Sequence, residues 1–144
     1  MRNYKNYYQR ARNKCGNKKV IFDGIEFDSK REAYRYNELK LLEGSGAIED
    51  LELQKEYLLI PAQYETVETG EYYKRGAKKG QPKTKQICVE QSLVYKADFA
   101  YKENGEIVVE DVKGFRDPKS AVYAKFVIKR KLMLHIYGIR IKEI

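Results

Sequence analysis

The fold of this 144-residue chain is decided by residues 94–113, which read VYKADFAYKENGEIVVEDVK. Two runs rich in β-branched and aromatic residues lie on either side of Asn104-Gly105, a dipeptide typical of two-residue type I′ hairpin turns. The two runs cover residues 94–101 and 106–113. With this turn Glu103 faces Glu106, and each further step pairs the next two residues of an antiparallel hairpin.

This register predicts that Asp98 faces Asp111 and that Lys96 faces Lys113. Side chains directly opposite in such a pair share a face, with Cβ atoms about 4.5 to 5.5 Å apart. Like charges in that position are destabilising, by up to about 1 kcal/mol per pair, and a divalent cation bound between the two aspartates would explain them. A slip of one residue would instead separate the aspartates onto opposite faces.

Two aspartates provide the oxygen ligands that Mg²⁺ prefers, and Mn²⁺ is expected to substitute for it. Both cations suit hydrolysis of phosphodiester bonds, because they polarise the phosphate and lower the pKa of a bound water. Lys113 lies two residues beyond Asp111 and therefore on the same face of the strand. There it would position the attacking water or neutralise developing charge.

The flanking sequence predicts further elements at both sides of this hairpin. Residues 20–27 form a short hairpin around Asp23-Gly24, a helix with Ser29 as N-cap covers 29–43, and one or two strands lie within 48–60. A second helix runs to about residue 134 with Asp117 as N-cap and Pro118 in its first turn, and a strand covers 139–144. Residues 62–92 lack a sustained apolar period and are expected to be an inserted loop or hairpin.

The element order, helix, strands, helix and strand, indicates an α/β fold with a mixed sheet flanked by helices. The predicted organisation is a basic N-terminal arm, residues 1–19, followed by a single domain that covers residues 20–144.

The positive charge of the chain is concentrated in two segments, although the net charge is +8 overall. These basic residues are Arg2, Lys5, Arg10, Arg12, Lys14, Lys18 and Lys19 in the arm, and Lys74, Arg75, Lys78, Lys79, Lys83 and Lys85 in the insertion. These side chains lie within residues 1–20 and 72–85, and neither range contains an acidic residue; tyrosines in the arm could stack on bases. The pattern predicts nucleic-acid binding, although solubilising tails would look the same.

Other features exclude several classes of protein. No apolar run approaches the roughly 20 residues that span a bilayer, and the N-terminus lacks a signal-peptide core, so a cytoplasmic location is expected. Cys15 and Cys88 have no CxxC partner, and His135 is the one histidine, so a structural zinc site is not expected.

Ala97-Asp98, followed after 12 residues by Asp111-Val112-Lys113, resembles the signature of the PD-(D/E)XK nucleases, with Ala97 where proline is common. The stretches around Ser29–Tyr36, Tyr95–Phe99 and Val109–Gly114 also resemble a family of small phage-encoded proteins thought to be nucleases of this class. The resemblance implies a restriction-endonuclease-like α-β-β-β-α-β core and catalysis by Asp98, Asp111 and Lys113. It also implies that Glu32 and the backbone carbonyl of Val112 complete the metal site.

Alternatives exist for several of these residues. Glu32 also fits a capping box with Ser29, in which its carboxylate would accept the Ser29 backbone N–H. Glu110 is expected on the opposite face of its strand and outside the site. Gln54 and Lys129 could lie near the cleft, but structural roles are favoured for both.

The sequence therefore predicts an Mg²⁺-dependent DNA endonuclease, selective for branched recombination or replication intermediates such as Holliday junctions. A domain this small has no separate module for reading sequence, so recognition of shape and backbone is favoured. Symmetric cutting of two strands would require a homodimer. The alternatives are a non-catalytic nucleic-acid-binding protein and an RNA-directed nuclease of the same fold.

Overall fold

The computed structural model describes residues 19–114 and 116–144. The predicted nucleic-acid contacts Arg2, Lys5, Arg10, Arg12, Lys14 and Lys18 lie outside these ranges. The elements are β1 (Val20–Phe22), β2 (Ile25–Phe27), α1 (Lys30–Gly44), β3 (Glu49–Leu53), β4 (Glu56–Ile60), β5 (Gln63–Tyr72), β6 (Pro82–Glu90), β7 (Leu93–Lys96), β8 (Phe99–Glu103), β9 (Glu106–Asp111), α2 (Ala121–Tyr137) and β10 (Ile141–Glu143).

A four-stranded mixed sheet in the order β10-β9-β8-β3 forms the centre of the fold. β3, β8 and β9 are antiparallel neighbours, whereas β10 lies parallel to β9. Phe99 and Tyr101 pack with α1, while Ala100, between them on β8, packs with α2. Alternate residues of a strand point to opposite faces, so the two helices cover opposite sides of the sheet, and the predicted mixed α/β fold is confirmed.

The predicted hairpin register is confirmed over the five pairs from Phe99↔Glu110 to Glu103↔Glu106. Asn104 and Gly105 both have positive φ, 53° and 81°, as a type I′ turn requires. The turn thus fixes which residues of β8 and β9 share a face.

The expectation that Lys96 faces Lys113 is wrong, because the run 94–101 is two strands rather than one. β7 ends at Lys96, which pairs with Glu56 of β4, and the β8–β9 ladder begins at Phe99. Between them, the Ala97 N–H donates to the Lys55 carbonyl, and the Asp98 carbonyl accepts from the Gln54 N–H. These bonds divert the chain toward β4, so Asp98 lies at a bend rather than in a strand opposite Asp111.

The first helix agrees with the prediction, and the second differs at both ends. Ser29 caps α1 by accepting the Glu32 N–H. α2 begins at Ala121 rather than in an Asp117-Pro118 first turn, because Asp117 forms a separate turn in which its carboxylate accepts the Lys119 N–H. The helix continues to Tyr137, beyond the predicted residue 134, and ends at Gly138 with a left-handed φ of 70°.

The remaining segments resolve alternatives that the sequence left open. Residues 48–60 contain two strands, β3 and β4, and the predicted hairpin at 20–27 is present as β1 and β2. Residues 62–92 form a hairpin, β5 and β6, rather than a loop. Neither helix described is long and apolar enough to cross a membrane.

Candidate active site

Two carboxylates meet where β7, β8 and β9 come together. Asp98 occupies the bend before β8, and its Oδ2 accepts the Val112 N–H at 2.7 Å. Asp111 is the last residue of β9 and is buried; its Oδ2 accepts the hydroxyl of Tyr95 at 3.0 Å, and its Oδ1 lies 2.6 Å from the Lys113 ammonium. The N–H that Asp98 accepts belongs to the residue after Asp111, so the two aspartates lie close together although they are not a register pair.

The charge of Asp98 is incompletely balanced. Burial, and next the neighbouring Asp111 carboxylate, raise the pKa of Asp98 to about 7, and Glu32 adds to this effect. The Val112 N–H and the Lys113 ammonium act in the opposite direction but do not offset the first two causes. Glu32, Asp111 and Lys113 thus all influence the pKa of Asp98, and burial together with the two carboxylates outweighs the lysine.

Lys113 is held from three directions. Besides contacting Asp111, its ammonium lies 3.8 Å from the centre of the Phe126 ring on α2, a cation–π distance. Its backbone N–H donates to the Ile144 carbonyl at 3.0 Å, and its carbonyl accepts from Arg31 at 3.0 Å. α1, α2 and the end of β10 therefore all fix the position of this lysine.

Glu32 does form a capping box at the start of α1, although not with the predicted donor. Its carboxylate accepts the Asp28 N–H at 3.3 Å and the Ser29 hydroxyl at 2.8 Å, rather than the Ser29 N–H. The same side chain lines a cleft of about 290 Å³ together with Asp98, Gln54 and Phe27. Glu32 therefore forms the cap, and it also borders the cleft beside Asp98.

Two residues near the aspartates were given less importance by the sequence than their positions indicate. Gln54 lines the cleft beside Asp98 and has a φ of 52°, which is unusual for a residue other than glycine. The consecutive polar residues Gln54, Lys55 and Glu56, which interrupt the apolar alternation of residues 48–60, are the signal that could have pointed to it. Tyr95, three positions before Asp98, donates its hydroxyl to Asp111. Lys129 donates to the Val94 carbonyl at 2.8 Å, which supports the structural role favoured for it.

The predicted basic residues divide into two places. Lys19 lines a second cleft of about 310 Å³ beside Asp98, together with Lys96, and its ammonium also contacts Glu26 and Asp28. The other described members, from Lys74 to Lys85, lie on the β5–β6 hairpin. The structure does not bring these hairpin cations to the lining of either cleft.

Glu110, next to Asp111 in sequence, lies on the opposite face of the sheet, as predicted. It is 1% exposed and binds Arg35 of α1 through both carboxylate oxygens, at 2.8 and 2.7 Å, while Tyr101 donates to it at 2.7 Å. Burial alone would raise the pKa of Glu110, but the bonds from Arg35 and Tyr101 outweigh it, and the pKa is lowered. Glu110 is therefore a core residue whose two carboxylate oxygens both accept hydrogen bonds.

Within residues 19–114 and 116–144, no three His, Cys, Asp or Glu side chains are gathered closely enough to hold a metal ion. The hydrogen bonds account for this arrangement, because Glu32 is turned toward its cap and Asp111 toward Lys113. Among the candidate ligands, Asp98 and Asp111 interact with each other, Asp98 accepts the Val112 N–H, and the Lys113 ammonium contacts Asp111.

The fold and this site define a mixed α/β protein with a cleft lined by the half-buried Asp98, which interacts with the buried Asp111 behind it. The chain matches the model of a family described as "Protein of unknown function (DUF1064)" over residues 12–140, and it belongs to that family. No curated protein and no solved structure matches the chain.

Proposed function

We propose that this chain is a metal-dependent endonuclease that hydrolyses phosphodiester bonds in DNA. Leaving out the strands β4 to β7, the order from α1 to β10 is α-β-β-β-α-β, which is the order of a restriction-endonuclease-like core. The observation that carries the proposal is the convergence of Glu32, Asp98, Asp111 and Lys113, which lie up to 81 positions apart in the chain yet jointly set the pKa of Asp98.

The donor set fits a divalent cation such as Mg²⁺. Its side-chain oxygens are those that hard cations prefer, and burial and the nearby Asp111 carboxylate both disfavour the charged form of Asp98, which a bound cation would favour. Asp98, Asp111 and the Val112 carbonyl would hold the cation, with Glu32 completing the site. When bound, Mg²⁺ or Mn²⁺ would polarise the phosphate and favour ionisation of the attacking water.

The protein residues have distinct tasks in this proposal. Lys113 donates hydrogen bonds to the attacking water or to a phosphate oxygen, and its contact with Phe126 restricts where the ammonium can go. Tyr95 orients Asp111 by donating to Oδ2, which leaves Oδ1 for the cation and Lys113. Gln54, Lys19 and Lys96 line the adjoining cleft, where a polyanionic strand would pass.

Branched recombination or replication intermediates, including Holliday junctions, are the proposed substrates, acted on in the cytoplasm of a bacterial host. The resemblance to small phage-encoded nucleases supports this choice. Cutting both strands of a junction symmetrically would require two copies of the chain, acting as a homodimer.

The test is cleavage of labelled four-way junction, flap, duplex and single-stranded DNA in Mg²⁺, Mn²⁺ or EDTA. Asp111→Asn should abolish metal-dependent cutting while DNA binding is retained, and Glu106→Gln, which removes an exposed carboxylate of the same strand, should cut normally. If wild-type protein binds these DNAs but cuts none in either metal, a non-catalytic nucleic-acid-binding protein becomes the better account. Preferential cutting of RNA in the same assay would overturn the DNA assignment.

A further inference from the structure

The β5–β6 hairpin is a separate two-stranded ribbon. β5 and β6 pair with each other along most of their length and make a sheet of two strands only. Nearly every residue of both strands is exposed, and Val67 and Lys83 are the half-buried exceptions. Two-stranded ribbons are marginally stable in water without further packing. A long exposed ribbon of this kind is therefore expected to have a partner.

Charge is segregated along the ribbon. The strands carry four acidic residues and two lysines, namely Glu65, Glu68, Glu71, Glu90, Lys83 and Lys85. Lys83 is paired with Glu71 at 2.8 Å, so one of these two lysines is already neutralised within the ribbon. The connecting turn, residues 73–80, carries Lys74, Arg75, Lys78 and Lys79 and no acidic residue. The ribbon thus has an acidic stem and a cationic tip.

The tip is an ordered turn rather than an irregular loop. The Tyr73 N–H donates to the Gln81 carbonyl at 3.0 Å, and the Gly80 N–H donates to the Tyr73 carbonyl at 2.9 Å. Gly76 and Gly80 supply the left-handed φ angles, 80° and 82°, that the turn needs. The Lys78 ammonium lies 5.9 Å from the centre of the Tyr73 ring. Four cations are therefore presented together on a hydrogen-bonded turn.

The ribbon is connected to the strand that leads to the candidate active site. β6 is followed by β7, which ends two residues before Asp98, and β5 follows β4, the partner of β7. Ten residues of strand span about 33 Å at the usual rise. A DNA duplex rises about 3.4 Å per base pair, so this length equals about one turn of the double helix.

We propose that the ribbon is an arm whose tip binds the phosphate backbone of duplex DNA, about one helical turn from the bond that is cut. This inference rests on the proposed function. The tip supplies cations to the phosphates, while the acidic stem disfavours contact along its length. The arm therefore contributes binding and selects substrates with sufficiently long duplex arms, and it takes no part in the chemistry.

A matched pair of double variants of the full-length chain separates the tip from the stem. Lys74→Ala with Arg75→Ala and Lys83→Ala with Lys85→Ala each remove two positive charges from the same ribbon. Binding to a four-way junction is measured in EDTA over a range of salt concentrations. The tip variant should lose affinity by about tenfold near 0.1 M salt, and its log K against log salt slope should fall by about 2. The stem variant should change affinity less than about threefold. An equal loss of affinity in both variants, or no loss in the tip variant, overturns the proposal that the tip binds DNA.

The length of the DNA arms provides the second measurement. Wild-type affinity should rise as junction arms are lengthened from 6 to about 12 base pairs, and the tip variant should lack this rise while matching wild type on the shortest arms. Parallel curves for the two proteins would overturn the inference. Because binding is measured without metal, this result is independent of cleavage. If the tip variant shows the expected loss of binding but the wild-type protein cuts no DNA, the proposed nuclease function is contradicted, whereas the proposed DNA-binding role of the arm is supported.

Discussion

Glu110 and Asp111 are neighbours in sequence, yet they lie in opposite electrostatic environments. On the α1 face, Glu110 has a guanidinium bound through both oxygens and a tyrosine hydroxyl in addition, and its pKa is lowered. On the α2 face, Asp111 shares its surroundings with Asp98, whose pKa is raised to about 7. The protein stabilises the charged form of Glu110 with Arg35 and Tyr101, whereas it disfavours the charged form of Asp98 beside Asp111.

This difference separates a structural carboxylate from the carboxylates of the candidate site. A buried carboxylate that is paired and hydrogen-bonded stabilises the fold, and breaking its pair is costly. Two carboxylates held close together without a full set of cations are destabilising unless something else binds there. The sheet positions both kinds of group on consecutive residues because side chains alternate between its faces.

The largest effect on stability is expected from Glu110→Gln. Removing this charge leaves Arg35 half-buried without its main partner, and the free energy of unfolding should fall by about 3 kcal/mol. Chemical denaturation measures the change, with exposed Glu106→Gln as the control. A loss below about 1 kcal/mol would mean that Glu110 contributes no more to the free energy of unfolding than an exposed carboxylate such as Glu106.

Glu32→Gln distinguishes the two roles of Glu32. Glutamine also serves in a capping box, so the free energy of unfolding should change by less than about 1 kcal/mol. If Glu32 completes the metal site, cleavage should slow by roughly 100-fold at limiting Mg²⁺. Ser29→Ala should behave in the reverse manner, losing about 1 kcal/mol of stability and little activity. Unchanged cleavage by Glu32→Gln would restrict Glu32 to capping.

The pH dependence of stability should report the unbalanced charge at Asp98. Because the folded state raises this pKa from its ordinary value of 3.8 to about 7, the folded protein binds the proton more tightly than the unfolded chain does. The contribution of Asp98 to stability is therefore fully present below pH 3.8 and is lost as the pH rises through about 7. Thermal unfolding in EDTA should show a smaller loss over this window for Asp98→Asn than for wild type. Identical profiles would contradict the electrostatic account.

The smallest effect is expected from removing one hydroxyl on each face. Tyr95→Phe deletes the donor to Asp111, and the affinity for Mn²⁺ or Mg²⁺ should fall about tenfold by calorimetric titration. Tyr101→Phe deletes the donor to Glu110 and should lower stability without changing metal affinity. Equal metal affinities in the two variants would remove the positioning role of Tyr95.

Local sequence was sufficient for the features that depend on neighbours along the chain. Asn104-Gly105 fixed the hairpin register, because only a few turns accept positive φ at two successive residues. Ser29 fixed the start of α1, because its hydroxyl is the acceptor for an otherwise unpaired N–H. The candidate residues Asp98, Asp111 and Lys113 were chosen from that register and from the spacing of the motif, although the ladder begins at Phe99 and does not pair Asp98 with Asp111.

Local patterns were less informative where the backbone makes a choice between distant partners. The run 94–101 was predicted as one strand, but it breaks at Ala97-Asp98, where Lys55 and Gln54 of the β3–β4 connection supply hydrogen bonds. Asp117-Pro118 has the composition of a helix start, yet it forms an isolated turn ahead of α2. At Ala97-Asp98 the competing hydrogen bonds come from a distant segment, whereas at Asp117 they are local bonds from the Lys119 and Ser120 N–H groups.

By itself, the sequence determined the α/β class, the hairpin register, the side of the sheet on which Glu110 lies, and the existence of two basic segments. These depend on periodicity, turn chemistry and composition, which act over a few residues. Only the tertiary structure decided that Arg35 balances Glu110, that Tyr95 and Phe126 hold Asp111 and Lys113, and that the cations at 74–79 stand on an exposed turn. Such pairings join residues distant in the chain, and their energies depend on burial and distance, which exist only once the chain has folded.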